Sequence, residues 1–164
     1  MILIGLGSNI KKNESMSLID SLNLAINDIE KIPVKILKKS SFYSSAPVPM
    51  SDQPWYVNAV ISIETSIKPI DLLNCLHRVE RDFGRERGEK WAPRTLDLDL
   101  LSYNALKLNS KIKIPHPRLH ERAFVLYPLR DVNQNWIHPI LSETVNQMID
   151  KLPYDQLIEK IEEK

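Results

Sequence analysis

Cysteine is almost missing from this chain: Cys75 stands alone among 164 residues. One thiol can form neither an internal disulfide nor a thiolate cage for a metal, and on a helix Cys75 reads as a packing residue. Glycine is scarce too, with four residues, and Gly5-Leu-Gly7 lacks the further glycines and the lysine of a phosphate-cradling loop. Those two glycines read as a tight turn with close backbone approach. Charge of one sign is not in excess, since 22 Lys and Arg face 21 Asp and Glu for a formal charge of +1. That balance offers no broad footprint for nucleic acid. No apolar run approaches the roughly 18 residues of a membrane span, and the start lacks the basic and apolar regions of a signal peptide. A soluble cytoplasmic protein with one domain, residues 1–164, is expected. Any anion it handles must then meet a local cluster of positive charge.

What is present is a regular alternation of elements. Residues 2–8 form a short apolar strand that stops at Gly5, Gly7 and Asn9. Asn13 is the candidate cap of a helix bearing Leu18, Leu22, Ala25, Ile26 and Ile29, which must end by Ile32 because Pro33 follows. Residues 34–43 have strand character, and three prolines make residues 44–54 a loop. Over residues 55–65, Val57, Ala59, Ile61 and Ile63 share one face while Tyr56, Asn58, Val60 and Ser62 share the other. Pro69 opens a second helix with Ile70, Leu73, Leu76, Val79 and Phe83 as its stripe, and Gly84 ends it. A basic loop and a further strand, residues 95–103, complete a βαββαβ order. That is a ferredoxin-like α+β fold with a mainly antiparallel sheet and helices packed on it. Residues 111–114 are expected to add an edge strand. Pro128 should stop a helix begun near Glu121, and a last helix should fall near residues 141–150 before an acidic-basic tail.

The sharpest chemical feature is Thr95-Leu-Asp97-Leu-Asp99-Leu-Leu101. On a strand, Leu96, Leu98 and Leu100 face the core while Asp97 and Asp99 project together. Two like charges on one face repel unless something positive lies between them, and magnesium accepts one or two carboxylates with water and phosphate completing its shell. Taken alone, the pattern equally describes the solvated face of an amphipathic strand. Directly upstream, residues 84–94 hold Arg85, Arg87, Lys90 and Arg94 around Trp91. Guanidinium groups there could fork onto phosphate oxygens; a solvated charged turn is the plainer alternative. Tyr56 and Asn58, on one strand face, could stack on a flat heterocycle and read its polar edge, though such pairs also occur without a ligand. His116 and His120 are spaced i,i+4, but Pro117 forbids a simple helix through them.

Lys90-Trp-Ala-Pro-Arg-Thr-Leu-Asp-Leu-Asp-Leu-Leu101 resembles the signature of the 6-hydroxymethyl-7,8-dihydropterin pyrophosphokinases of folate biosynthesis. Gly7-Ser-Asn9, Ser41-Phe-Tyr43, Asp52-Gln-Pro54, Tyr56-Val-Asn58-Ala59 and the stretch from Pro115 to Phe124 extend the resemblance over residues 2–130. It implies transfer of pyrophosphate from ATP to the pterin hydroxymethyl group, with release of AMP. It implies two magnesium ions on Asp97 and Asp99, with Arg85 and Arg94 matching loop arginines that act on substrates and products. The pterin would lie between Tyr56 and Phe124, read by Asn58 and by groups near Ser45, Ala46 and Val48. On the ATP side the resemblance implies His77, Glu80, Arg87, Trp91, Arg94, Leu100, His116 and Arg122, with His77 standing where the family carries glutamine. The partners implied are these two small molecules, with no nucleic acid, no membrane and a monomeric chain. Two other readings fit the same residues. A noncatalytic ferredoxin-like RNA-binding module lacks its aromatic signature here, and a simple kinase or nucleotidyltransferase would release ADP or pyrophosphate instead of AMP.

Overall fold

The computed structural model describes residues 1–84 and 93–162. In chain order it contains β1 (Ile2–Ser8), α1 (Leu18–Ile29), β2 (Lys35–Lys39), β3 (Tyr43–Ser45), β4 (Tyr56–Glu64), α2 (Pro69–Asp82) and β5 (Asp97–Tyr103). There follow β6 (Leu108–Asn109), β7 (Lys113–Ile114), a 3-10 turn at Leu119–Glu121, α3 (Ala123–Asn133), α4 (Val145–Ile149) and β8 (Ile158–Lys160). The main sheet runs β5-β1-β4-β3-β8, with β2 also paired along β4, and all its pairings are antiparallel. The core is the expected ferredoxin-like βαββαβ, with β2 and β3 forming one broken course beside β4. Ser40 carries the ladder across that break: its Oγ accepts the Val60 amide at 2.9 Å, and its own amide donates to Val60 O at 2.9 Å.

The sheet is covered on both faces. On one, Ile4, Leu6, Ala59, Ile61, Leu98 and Leu100 pack with Leu22, Ile26, Leu72 and Leu76 of α1 and α2. On the other, Leu3, Val60 and Leu101 seat Leu126, Leu129, Val132, Trp136 and Met148. This second layer covers one half of its face and leaves the other half to the site described below.

Several local expectations are corrected by the structure. Ser17, not Asn13, caps α1: its Oγ accepts the Asp20 amide and the Asp20 carboxylate accepts the Ser17 amide, each at 3.0 Å. The acid three residues after the cap completes a capping box, which Asn13 cannot form. The α2 stripe is Leu72, Leu76, Val79 and Phe83, with Leu73 only half-buried and Ile70 exposed. Gly84 ends the helix as expected, at φ +82°, a conformation that glycine adopts without a Cβ penalty. The β6–β7 hairpin is a separate two-stranded sheet and not an edge of the main one. Pro128 lies inside α3 without ending it. An interior proline costs about 3 kcal/mol, but Val125, Leu126, Leu129 and Val132 are all buried at roughly 1.5–3 kcal/mol each, so packing wins. The last helix is five residues long, and the tail, instead of trailing away, returns as β8 beside β3. Loss of the α1 capping box in Ser17→Ala is expected to lower unfolding free energy by about 1 kcal/mol in urea, with Asn13→Ala nearly silent.

Candidate active site

The half-open face of the sheet is a change of side chain along three neighbouring strands. Toward α3, the facing residues are Leu3 on β1, Val60 on β4 and Leu101 on β5. Along the same face, Leu3 is followed on β1 by Gly5 and Gly7, Val60 on β4 by Asn58 and Tyr56, and Leu101 on β5 by Asp99 and Asp97. The register sets Gly7 between Asn58 and Asp97, and Gly5 between Val60 and Asp99. Both glycines therefore lie within β1, in place of the expected tight turn. A Cβ added at Gly7 would sit 3.3 Å from Asn58 Oδ1, tighter than most such contacts. With no side chain on the middle strand, a cavity of ≈ 210 Å³ opens between the Tyr56–Asn58 side and the aspartates.

Its walls gather residues distant in sequence. Ser45, Ala46, Pro47 and Val48 line one side, and Arg122, Phe124 and Val125 from the start of α3 line another. Arg94, Asp97, Asp99, Arg118 and Gln53 complete the polar rim. Asn58 is buried, and its Nδ2 donates to Ser45 Oγ at 2.9 Å. Asn9 is the clasp of the rim: its Oδ1 accepts the Arg94 amide at 2.8 Å, while its Nδ2 donates to Gln53 Oε1 and Pro54 O at 3.2 Å. Thus the turn after β1 joins the loop before β4 to the approach to β5.

Each aspartate meets an arginine. Arg94 Nη1 donates to Asp97 Oδ2 at 2.7 Å, and Arg122 Nη1 lies 3.7 Å from Asp99 Oδ2. These guanidinium groups offset the mutual repulsion of the two carboxylates. Arg122 also stands 5.4 Å over the Phe124 ring. His116, beside Arg122, has its pKa lowered to about 4 by burial and then by the Arg122 charge, against which Asp97 acts only partly. Its Nδ1 accepts the Arg118 amide at 3.2 Å, so the neutral ring carries its hydrogen on Nε2. Burial raises the Tyr56 pKa, leaving its phenol protonated.

All six residues expected on the pterin side, Ser45, Ala46, Val48, Tyr56, Asn58 and Phe124, line this cavity, as do Arg94, Asp97, Asp99 and Arg122. Four described residues expected on the ATP side, Leu100, Glu80, His77 and His116, do not line it. Leu100 points into the opposite core at 6% exposure, because alternation on β5 turns it away from its aspartate neighbours. Glu80 is 5% exposed on α2, and its carboxylate accepts the Leu98 amide at 2.7 Å, tying helix to strand. His77 is half-buried on the same helix. Arg85, Arg87 and Trp91 lie outside the described residues. Gln53 and Arg118 are cavity residues to which the sequence assigned no role, and the two glycines, expected in a turn, line its floor. Gly7-Ser-Asn9 and Asp52-Gln-Pro54 carried the signal only as motifs.

The model of the 7,8-dihydro-6-hydroxymethylpterin-pyrophosphokinase family matches residues 3–134. The chain belongs to this family. It is 40% identical over 152 residues to the 2-amino-4-hydroxy-6-hydroxymethyldihydropteridine pyrophosphokinase of Haemophilus influenzae, covering 90% of this chain and 92% of that one. It is 38% identical over 133 residues to the Bacillus subtilis protein of the same name, covering 80% of this chain and 77% of that one. Among solved structures, a Plasmodium falciparum HPPK-DHPS superposes with a TM-score of 0.70 at 13% identity, over 92% of this chain and 45% of that longer one. That likeness bears on the fold alone. Described residues of five of the motifs quoted above, all but Ser41-Phe-Tyr43, therefore line one cavity on one face of a fold that the solved structures share.

The lowered His116 pKa predicts a pH effect on stability. The unfolded ring, with an ordinary pKa of 6.5, binds a proton that the folded ring refuses down to about 4. Its contribution is thus complete above pH 6.5 and lost as pH falls toward about 4. Urea denaturation across that window is expected to show a shallower decline for His116→Asn than for the parent.

Proposed function

We propose that this protein transfers pyrophosphate from ATP to the hydroxymethyl group of 6-hydroxymethyl-7,8-dihydropterin and releases AMP, a step of folate biosynthesis. The observation that carries this reading is a single cavity joining an aromatic and carboxamide pocket, Tyr56, Phe124 and Asn58, to the carboxylates of Asp97 and Asp99. The pterin ring would lie between the two aromatic rings, with its polar edge toward Asn58. Asn58 is suited to that task because Ser45 Oγ holds its amide orientation. The hydroxymethyl group would then point along the glycine floor toward the aspartates. In the transfer, its oxygen bonds the β-phosphorus of ATP, the bond from that phosphorus to the oxygen shared with the α-phosphate breaks, and AMP leaves with the bonding electrons. The hydroxyl proton is released.

Such chemistry asks for alignment and charge stabilisation more than for a nucleophilic side chain. Arg94 and Arg122, now paired with the aspartates, are suited to move onto phosphate oxygens once a cation takes their place. The donor set fits magnesium. Among the described residues no group of three or more His, Cys, Asp or Glu side chains could hold a metal ion. Asp97 and Asp99 would supply two oxygen ligands and leave the rest of the shell to water and phosphate, as magnesium accepts. When bound, the metal would neutralise polyphosphate charge and acidify the attacking hydroxyl. His116, neutral with Nε2–H available, is suited to donate to a phosphate oxygen without adding charge. We further infer that residues 1–164 act as one pyrophosphokinase domain, as a cytoplasmic monomer with small-molecule partners and without nucleic acid. No helix among the described residues is long and apolar enough to cross a membrane.

Chromatography of nucleotides after incubation with magnesium, ATP and the dihydropterin is expected to show AMP rising in step with pyrophosphorylated pterin; ADP would instead make this a simple kinase. Asp97→Ala is expected to abolish turnover, and an active variant would overturn the metal assignment. In Gly7→Ala the new Cβ must displace Asn58, so pterin affinity measured by fluorescence titration is expected to fall roughly tenfold, about 1.4 kcal/mol, in a folded protein.

A further inference from the structure

Gln156 lies beyond the stretch matched by the family model, which ends at residue 134, yet it reaches the start of α3 from the C-terminal segment. Its side-chain amide makes two bonds there. Oε1 accepts the Ala123 amide at 2.8 Å, and Nε2 donates to Glu121 O at 2.7 Å. These bonds fall on either side of Arg122. Arg122 is the N-cap residue of α3, with extended backbone (φ −118°, ψ 111°) and no side-chain cap of its own. Its carbonyl accepts the Val125 and Leu126 amides at 3.1 and 3.0 Å, and its own amide donates to Leu119 O at 3.4 Å. The carboxamide of a distant segment satisfies the adjoining Ala123 amide that no local Ser or Asp caps.

The next two residues hold the opposite wall. Leu157 O accepts the Ala46 amide at 3.1 Å, and Ile158 pairs with Ser45 on β3. Three consecutive residues thus connect Arg122 and Phe124 on one side of the cavity to Ser45 and Ala46 on the other, without lining the cavity themselves. A tail tied down for stability alone could do so anywhere along β3. Bracketing one arginine whose guanidinium meets both Asp99 and the Phe124 ring is a narrower arrangement.

We propose that Gln156 is a positioning residue for pyrophosphoryl transfer, setting Arg122 and Phe124 at a fixed separation from the β3 wall that Leu157 and Ile158 carry. The proposal rests on the reading of the cavity as the pterin site. Gln156 acts through the backbone of Arg122, so its loss misplaces groups that remain present. Gln156→Met keeps the length and removes both bonds. Gln156→Glu keeps an acceptor for the Ala123 amide but sets a carboxylate against Glu121 O. Tyr154→Ser, at a fully exposed neighbour, is the control.

The test measures kcat and KM for the dihydropterin, the affinity for 6-hydroxymethylpterin, and the folded fraction at the assay temperature. Gln156→Met is expected to lower kcat/KM roughly tenfold to a hundredfold and to weaken pterin affinity while still folded, the scale set by misplacing a substrate-positioning group. Gln156→Glu should lose less, and Tyr154→Ser nothing. The assignment is overturned if Gln156→Met stays within about twofold of the parent in kcat/KM, or if both Gln156 variants lose activity only in proportion to their unfolded fraction. A parent protein that neither binds the pterin nor forms AMP would overturn the reading of the site and this assignment with it, a result distinguishable because it needs no variant.

Discussion

The register of β1 between β4 and β5 is the constraint on which the rest depends. Antiparallel pairing brings opposed residues to the same face, so Asn58, Gly7 and Asp97 form one row across the sheet and Val60, Gly5 and Asp99 the next. A slip of one residue on β1 would put Leu6 where Gly7 is and turn Ile4 and Ile2 out of the core. The core on the α1 and α2 side holds that register, because Ile2, Ile4 and Leu6 are buried there. The packing that stabilises the fold is also what keeps the cavity floor free of side chains.

The charges of the site are arranged before any ligand arrives. Asp97 and Asp99 carry like charge on one face, and Arg94 and Arg122 each hold one of them. A half-buried ion pair of this kind adds modestly to stability once desolvation is counted. A cation held by the two carboxylates would free both guanidinium groups beside the place a polyphosphate would occupy. Burial next to Arg122 keeps His116 uncharged.

Much of this was legible in the residues. Alternation along residues 55–65 and 95–103 placed the two faces of β4 and β5 correctly, because a strand has a side-chain period of two and the apolar set must face a core. The Asp97–Asp99 pair and the Tyr56–Asn58 pair could each be found on its own strand. The errors arose where the deciding partner is far away in sequence. Pro128 reads as a helix stop by propensity, but the burial of α3 against β4 outweighs it. The glycines of β1 read as a turn because their neighbours across the sheet are not adjacent in the chain. Glu80 is expected on the ATP side by resemblance alone, and only the approach of β5 shows that its carboxylate accepts the Leu98 amide.

By itself the sequence determined the βαββαβ order, the core faces of β4 and β5, and the residue types available for chemistry. These follow from local periodicity and from motifs whose members lie within a few residues of one another. Only the tertiary structure decided that the aromatic pocket and the carboxylates share one cavity, that Asn9 clasps its rim and that Gln156 reaches the backbone around Arg122. Those relations depend on strand register and on hydrogen bonds between segments separated by 33 to 85 residues. No local pattern encodes such pairings, because their partners are chosen by packing the whole chain.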